Sequence, residues 1–223
     1  ALWGLHCAIF RATYSGWYLG GAAVGLGVLT KLSILMLPFF AGITFLGFTF
    51  IHQHYRKHLT SPHLWLSIFL MFACMSPLII WNYQHDWLMF KHDAAHVGNT
   101  GFNLTVFGEF IGGQFLIISP IIFITVMEAF KHILSKRHDT AFLAWFSLLV
   151  GLFFIYKAAG GKIQINWAAP LYLSLIILWG NKFVSSGKIY NAVISTGAII
   201  AALLIILSFF PNLMGITEAK GPF

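Results

Sequence analysis

Long apolar stretches alternate with short polar segments along most of this chain. A helix that crosses a lipid bilayer needs about 20 mostly apolar residues. Stretches of this kind fall at 15–30, 32–51, 63–81, 113–130, 140–156, 167–181 and 189–210, and 1–10 looks like the end of an earlier one. The pattern predicts an all-α polytopic transmembrane helical bundle, a single domain over 1–223 with about seven full spans plus that earlier helix end.

The composition excludes a soluble globular domain. Hydrophobic residues make up 59% of the chain and charged residues 9%, with a mean hydropathy of +0.83. A soluble domain carries about 25% charged residues, so this chain has too little polar surface to cover itself in water. The chain begins at Ala1 inside an apolar stretch and shows no signal-peptide pattern, so we expect it to be part of a longer protein.

The basic residues predict how the chain is oriented in a membrane. The net charge of +7 would suggest nucleic acid in a soluble protein, but these cations lie in short loops, and no nucleic-acid partner is expected. If the loop at Arg11 is cytoplasmic and the sides alternate, the cytoplasm receives more of the cations. The inside set is Arg11, Arg56, Lys57, Lys131, Lys136, Arg137, Lys182 and Lys188, and the outside set is Lys31, Lys91, Lys157, Lys162 and Lys220. This orientation places the longest loop, about 82–112, outside.

The outward loop opens with the polar stretch WNYQHDWLMFKHDAAHVGN, which contains a possible metal motif. His92 and His96 are four residues apart and would share one face of a helix. Asp93 stands where HExxH zinc peptidases have a glutamate, but aspartate is shorter, and only His85 and Glu109 are candidates for a third ligand. The alternative is a wet interfacial segment in which histidine and aspartate make polar contacts. The apolar spacing of the later part of the loop also predicts a helix lying in the interface.

Two further groups of outward residues have both a structural and a functional interpretation. Lys31, Lys157 and Lys162 stand at outer helix ends, where they would either snorkel to the interface or bind an anionic group such as a lipid phosphate. Asn82 and Asn166 each adjoin a tryptophan, Trp81 and Trp167. An amide beside an indole suits a sugar, and it also suits an interfacial anchor with a capping amide.

Three sequence pieces, taken in order, resemble the bacterial members of glycosyltransferase family 39. These proteins are relatives of the protein O-mannosyltransferases and of the lipid A aminoarabinose transferase. The pieces are GWYLGGAAVGLGVLTKLSILMLP, SPLIIWNYQHDWLMFKHDAAHVGN and KAAGGKIQINWAAPLYL. They match a Gly-rich helix ending in Thr-Lys, a Pro-x-x-x-Trp-Asn segment, and a lysine-containing loop running into Asn-Trp-x-x-Pro. The resemblance covers essentially the whole chain.

The resemblance implies a GT-C type membrane domain in a bacterial inner membrane. Such an enzyme moves a sugar from a polyprenyl-phosphate carrier to a lipid, glycan or protein acceptor on the outer face. The family's catalytic aspartate lies in the first outer loop, which would precede Ala1, so no catalytic residue is assigned here. Asp86, Asp93 and Glu109 are possible supporting groups, and no cofactor is assigned, with a divalent metal in the intact enzyme left open. The substrate-binding residues implied by the resemblance are Lys31, Asn82, Trp87, Phe90, His92, Lys157, Lys162, Asn166 and Trp167.

Two other function classes stay open on the sequence alone. A membrane transporter or flippase for a lipid-linked or small polar solute should place charged or broken helices near the bilayer midplane. Here the ionisable residues cluster at span ends, with Glu128 nearest to an exception. A metallo-hydrolase built on HDAAH would require bound zinc.

Overall fold

The structure, a computed structural model, describes residues 1–96, 101–114, 130–161 and 163–183, together with 195, 196 and 199. Helices dominate this part of the chain, and it contains no strand, so the predicted all-α class is confirmed. The helices are α1 Leu2–Phe10, α2 Tyr14–Thr30, α3 Met36–Ile51, α4 Pro62–Gln84, α5 Leu88–His96, α6 over 104–114, α7 His138–Gly160 and α8 Ala169–Phe183. Short 3-10 turns lie at Leu32–Leu35, Gln53–His58, Phe130–Leu134 and Ile165–Ala168.

Most of the predicted spans are helices at the expected places. Among the described residues, three helices are long and apolar enough to cross a membrane: Leu32–Ile51, Pro62–Gln84 and His138–Gly160. The predicted spans at 15–30 and 167–181 are the helices α2 and α8, which have 17 and 15 residues. The span predicted at 113–130 and the one at 189–210 lie almost wholly outside the described residues.

Glycines bring α2 close to two neighbouring helices. A Cβ built on Gly16 would lie 2.5 Å from the carbonyl oxygen of Gly4 in α1, and one on Gly25 would lie 2.5 Å from that of Met71 in α4. Backbones approach this closely only where the side chain is absent. Glycines four residues apart therefore form two close contacts: Gly16 and Gly20 face α1, and Gly21 and Gly25 face α4.

Aromatic side chains hold α3 against α7 in the main core. Phe40 packs on Phe153 with ring centroids 5.2 Å apart, and Phe48 packs edge-on against Phe142 at 5.5 Å. Because the residue numbers fall on α7 as they rise on α3, the two helices are antiparallel. Phe142 and Phe146 are fully buried in this core. Tilted and edge-on pairs of this kind add to the packing energy of the rings.

The long helix α4 passes through a proline without ending. Pro77 lies inside α4 and has no N–H, so the carbonyl of Ala73 lacks its usual helical donor. The hydroxyl of Ser76 donates to that same carbonyl over 2.8 Å. The helix therefore continues past the predicted span end at 81 to Gln84, because a side chain replaces the missing backbone hydrogen bond.

Helix α8 begins well inside the bundle. The hydroxyl of Ser147 lies 3.5 Å from the carbonyl oxygen of Leu171, and the Leu171 side chain lies beside Gly151. Ser147 stands roughly 20 Å along α7 from its end at Gly160, at about 1.5 Å per residue. The connection after Gly161 therefore runs back along α7 before α8 starts.

Candidate functional site

The helices place the candidate residues at one end of the bundle, called the outer end after its predicted orientation. It comprises the α2–α3 corner, the α4–α5 turn and the α7–α8 connection. The opposite, inner end carries Arg11, the 52–61 connection and 130–139. Contacts between Tyr55 and His138 show that the two histidine-rich basic segments meet at this inner end, as the charge pattern predicted.

Lys31 occupies the corner between α2 and α3. Its backbone is extended and its N–H donates to the carbonyl of Gly27 over 3.1 Å, which ends the helix. The hydroxyl of Thr30 donates to the same carbonyl over 2.6 Å. Two donors thus fix the corner while the Lys31 side chain is exposed. Its ammonium group is available to an anion at this end of the helices.

Asn82 stabilises the turn that carries Trp87 and Phe90. Its side-chain amide donates to the carbonyl of Leu78 over 3.0 Å, and its backbone carbonyl accepts from the N–H of Trp87 over 2.8 Å. Asn82 has 0% exposure, and its Oδ1 has no hydrogen-bond partner among the described residues. The structure therefore places Asn82 beneath the surface that was predicted to bind substrate.

The α4–α5 turn is strained at two consecutive residues. Asp86 and Trp87 have φ angles of 52° and 58°, a region that costs non-glycine residues energy. The turn directs Trp87, 44% exposed, to the surface, and its ring packs against Phe90 at 5.7 Å. On the other side of the turn, Trp81 stacks on His85 at 4.2 Å. The result is an aromatic and polar rim on the outer end.

The HDAAH segment is helical, as its spacing predicted. It forms the second half of α5, with His92 exposed and His96 four residues further on. Among the described residues, no group of three or more histidine, cysteine or carboxylate side chains could hold a metal ion. The side chains of Asp93 and His96 are not among those described, and a metal at this segment stays a prediction.

The α7–α8 connection contributes the third group of predicted residues. Lys157 lies half-buried in the last turn of α7, and Asn166 is exposed on the 3-10 turn. The indole of Trp167 donates to Gln164 over 2.9 Å, while its ring packs against the main core. Since the chain runs back along α7 here, Trp167 lies deeper than the end of that helix. Lys162 lies outside the described residues.

The Lys31 corner and the turn at Asn82 pack together more closely than either packs with the α7–α8 connection. Leu32 and Ile34 beside Lys31 pack in the same cluster as Leu78 and Ile79, one turn below Asn82. Leu37 packs against both this cluster and the main core that holds Trp167. The hydrogen bonds and ring contacts described above join Asn82 and Trp87 only to the α4–α5 region. Those of Trp167 join it to Gln164 in the α7–α8 connection and to the main core. The outer end thus holds two joined polar corners, at Lys31 and at Asn82, and the α7–α8 connection lies deeper and is linked to them through Leu37.

Sequence reasoning missed a polar contact inside the bundle. The hydroxyl of Tyr172 on α8 donates to the side-chain oxygen of Gln114 on α6, and Gln114 is 6% exposed. The two residues are 58 positions apart, so no local spacing could pair them. A pair of this kind fixes one helix against the other, because an unsatisfied amide in an apolar interior is costly.

Sequence similarity relates this chain to known glycosyltransferases. Residues 1–81 match the model of the dolichyl-phosphate-mannose-protein mannosyltransferase family. The chain is also 30% identical over 162 residues to the lipid A galacturonosyltransferase RgtD of Rhizobium johnstonii. The resemblance to glycosyltransferase family 39 is confirmed. The match to RgtD covers 71% of this chain and 33% of that protein, so the chain spans about a third of the length of the curated relative it matches. No solved structure matches the chain.

Proposed function

We propose that this chain is the part of an integral-membrane glycosyltransferase that helps bind a lipid-linked sugar donor. The intact enzyme would move the sugar from a polyprenyl-phosphate carrier to an acceptor on the extracytoplasmic face of a bacterial inner membrane, which it crosses several times. The observation that carries the proposal is the paired match to a mannosyltransferase family and to a galacturonosyltransferase. Both names describe transfer of a sugar, and the family name gives a lipid phosphate as its carrier.

The outer end supports a donor-binding role. Lys31 presents an exposed ammonium group on a corner fixed by two hydrogen bonds. Ammonium groups hold phosphate oxygens through charge-assisted hydrogen bonds. At the same outer end, the exposed ring of Trp87 packs against the half-buried ring of Phe90, and the CH faces of a sugar pack well on such rings. Lys31 would hold the carrier phosphate, and the aromatic rim would position the sugar.

The acceptor in this proposal is a lipid. The name of the relative contains lipid A, and that relative matches 71% of this chain. The chain itself supplies binding and positioning groups, and none of its carboxylates is assigned as the base that activates the acceptor. Asp86 is exposed on the α4–α5 turn, where it would adjust the local charge, and Glu109 is exposed on α6.

A transfer assay on the intact protein tests the proposal. The purified enzyme would be given polyprenyl-phosphate donors carrying mannose, aminoarabinose or galacturonic acid, with lipid A as acceptor, and the product followed by mass spectrometry. We expect transfer from at least one donor. Lys31→Ala should raise the KM for that donor by about 10- to 150-fold, since a hydrogen bond to a charged group contributes about 1.5–3 kcal/mol.

Lys57→Ala is the matched control, because this exposed lysine lies at the inner end. It should leave the donor KM unchanged. An unchanged KM in Lys31→Ala would contradict the phosphate role of Lys31. If no lipid-linked donor supports transfer, while the reconstituted protein moves such donors across vesicles, the transporter alternative is correct.

A further inference from the structure

A polar pocket lies at the inner end of the bundle, opposite the candidate donor site. Its volume is about 360 Å³. The end of α1 contributes His6, Phe10 and Arg11, and the 53–58 turn contributes Tyr55. Lys136, just before α7, and His138 and Asp139 at its start complete the lining. Three separate parts of the chain therefore build it.

Ring contacts and one hydrogen bond hold the pocket together. The hydroxyl of Tyr55 and Nδ1 of His138 are 2.9 Å apart, which ties the 53–58 turn to α7. The ring of Phe10 packs edge-on against Tyr55 at 5.6 Å and against Phe142 at 5.5 Å. His52 stacks on His138 at 4.1 Å from outside the pocket. The walls are thus fixed by the protein's own core.

The charge of the pocket is positive. Its carboxylate, Asp139, is already engaged: one oxygen accepts from Arg137 over 3.1 Å and the other from the backbone N–H of Thr140 over 2.8 Å. Arg137 offsets this negative charge. Arg11 and Lys136 are exposed, and within the described part of the chain neither has a carboxylate partner. Their charges are the ones an anion would meet.

We propose that this pocket binds the phosphate group of an anionic phospholipid. Arg11 and Lys136 would bind the phosphate oxygens, and the imidazoles of His6 and His138 can donate further hydrogen bonds. The volume lies in the lower part of the range of about 300–1,000 Å³ found for small-molecule sites. Basic pockets between transmembrane helices on the cytoplasmic side are suited to anionic headgroups.

The surroundings favour a lipid over a soluble phosphate. Phe50 and Ile51 end α3 directly before His52 and are 84% and 71% exposed. Covering large apolar side chains such as these with acyl chains is energetically favourable, because it removes their surface from water. A phospholipid whose headgroup lies in the pocket would have its acyl chains at the level of these residues. A free phosphate would make no contact with these residues.

Lipid binding by the purified intact protein tests this proposal. Thermal unfolding would be followed in nanodiscs of phosphatidylcholine with increasing phosphatidylglycerol, and in a separate arm with inorganic phosphate. We expect phosphatidylglycerol to raise the unfolding temperature. The double variant Arg11→Gln, Lys136→Gln should weaken this binding about 30-fold, which corresponds to about 2 kcal/mol for two cations near a membrane surface.

The control is Lys57→Gln with Lys131→Gln, which removes two exposed cations from the same end but outside the pocket. This control should retain most of the lipid effect. Equal losses in the two double variants, or an unfolding temperature that does not rise with phosphatidylglycerol, would overturn the proposal. Stabilisation by inorganic phosphate that the pocket variant removes, without any lipid effect, would support a phosphate site and overturn its assignment to lipid. Both pocket cations are exposed, so their loss should leave the core packed, and gel filtration checks this.

Discussion

The contact between α2 and α4 predicts a large effect for one added methyl group. A Cβ on Gly25 would lie 2.5 Å from the carbonyl oxygen of Met71 and 2.6 Å from the Cβ of Cys74. Ordinary contact begins near 3.4 Å, so Gly25→Ala requires the helices to separate locally by roughly 1 Å. Neither obstacle is the movable end of a long side chain.

The magnitude follows from opposing contributions. Alanine gains about 1 kcal/mol of helix propensity over glycine. Overpacking costs about 1–3 kcal/mol, and separating the helices also weakens the bond from the Ser67 hydroxyl to the Trp17 carbonyl, now 2.6 Å long. That buried bond contributes about 0.5–1.5 kcal/mol. We expect Gly25→Ala to lower the free energy of unfolding by about 1–3 kcal/mol.

The assay is unfolding of the intact protein in mixed micelles with increasing SDS. The matched control is Gly47→Ala on α3, where a new Cβ would meet nothing within 4 Å. The control should be neutral or stabilising by up to about 1 kcal/mol. As a local readout, labelling of the Cys74 thiol, measured on its peptide, should be faster in Gly25→Ala. Equal stability of the two variants, with unchanged Cys74 labelling, would refute the close-packing argument.

Three further predictions concern the connections between helices. Asp86→Gly should raise the free energy of unfolding by about 0.5–1 kcal/mol, because glycine adopts a φ of 52° without strain. A lower free energy of unfolding in SDS would show instead that the aspartate side chain stabilises the turn. Asn82→Ala should lower it by about 1–2 kcal/mol through loss of the bond to Leu78, and equal stability to wild type would contradict this role. Burial, then Lys57, then His54 lower the pKa of His58, so the unfolded chain binds a proton that the folded one does not. Stability should therefore fall as the pH drops below about 6.5, and His58→Gln should reduce that slope in thermal unfolding at pH 5.5 and 7.5.

The helices were predictable because their signal is local. Runs of apolar residues fixed the positions of α2, α3, α4 and α7 to within a few residues. The capping asparagine of α6 is also a local signal: Asn103 accepts from the N–H groups of Thr105 and Val106. The motif pieces that resemble family 39 were readable for the same reason, since each lies within a short stretch.

The exposure of the candidate site residues was only partly predictable from the sequence. Lys31, Trp87 and Asn166 are exposed, as a binding role requires, while Asn82 is buried and Trp167 packs into the core. Exposure at a helix end depends on how the next connection folds. Here the turn at Asp86 and the return of the chain after Gly161 decide which side chains are exposed. Neither feature has a periodic sequence pattern, so neither could be predicted.

The sequence alone determined the class of the protein: an apolar, helical, membrane-type chain with family 39 motifs and cations at its span ends. Those features depend on residue type and on spacing of a few positions. The tertiary structure alone decided which helix each glycine faces, and that Arg11 and Lys136 share a pocket although they lie far apart in the chain. Contacts between distant residues depend on how whole helices pack, and packing is settled by shape and burial over the entire bundle.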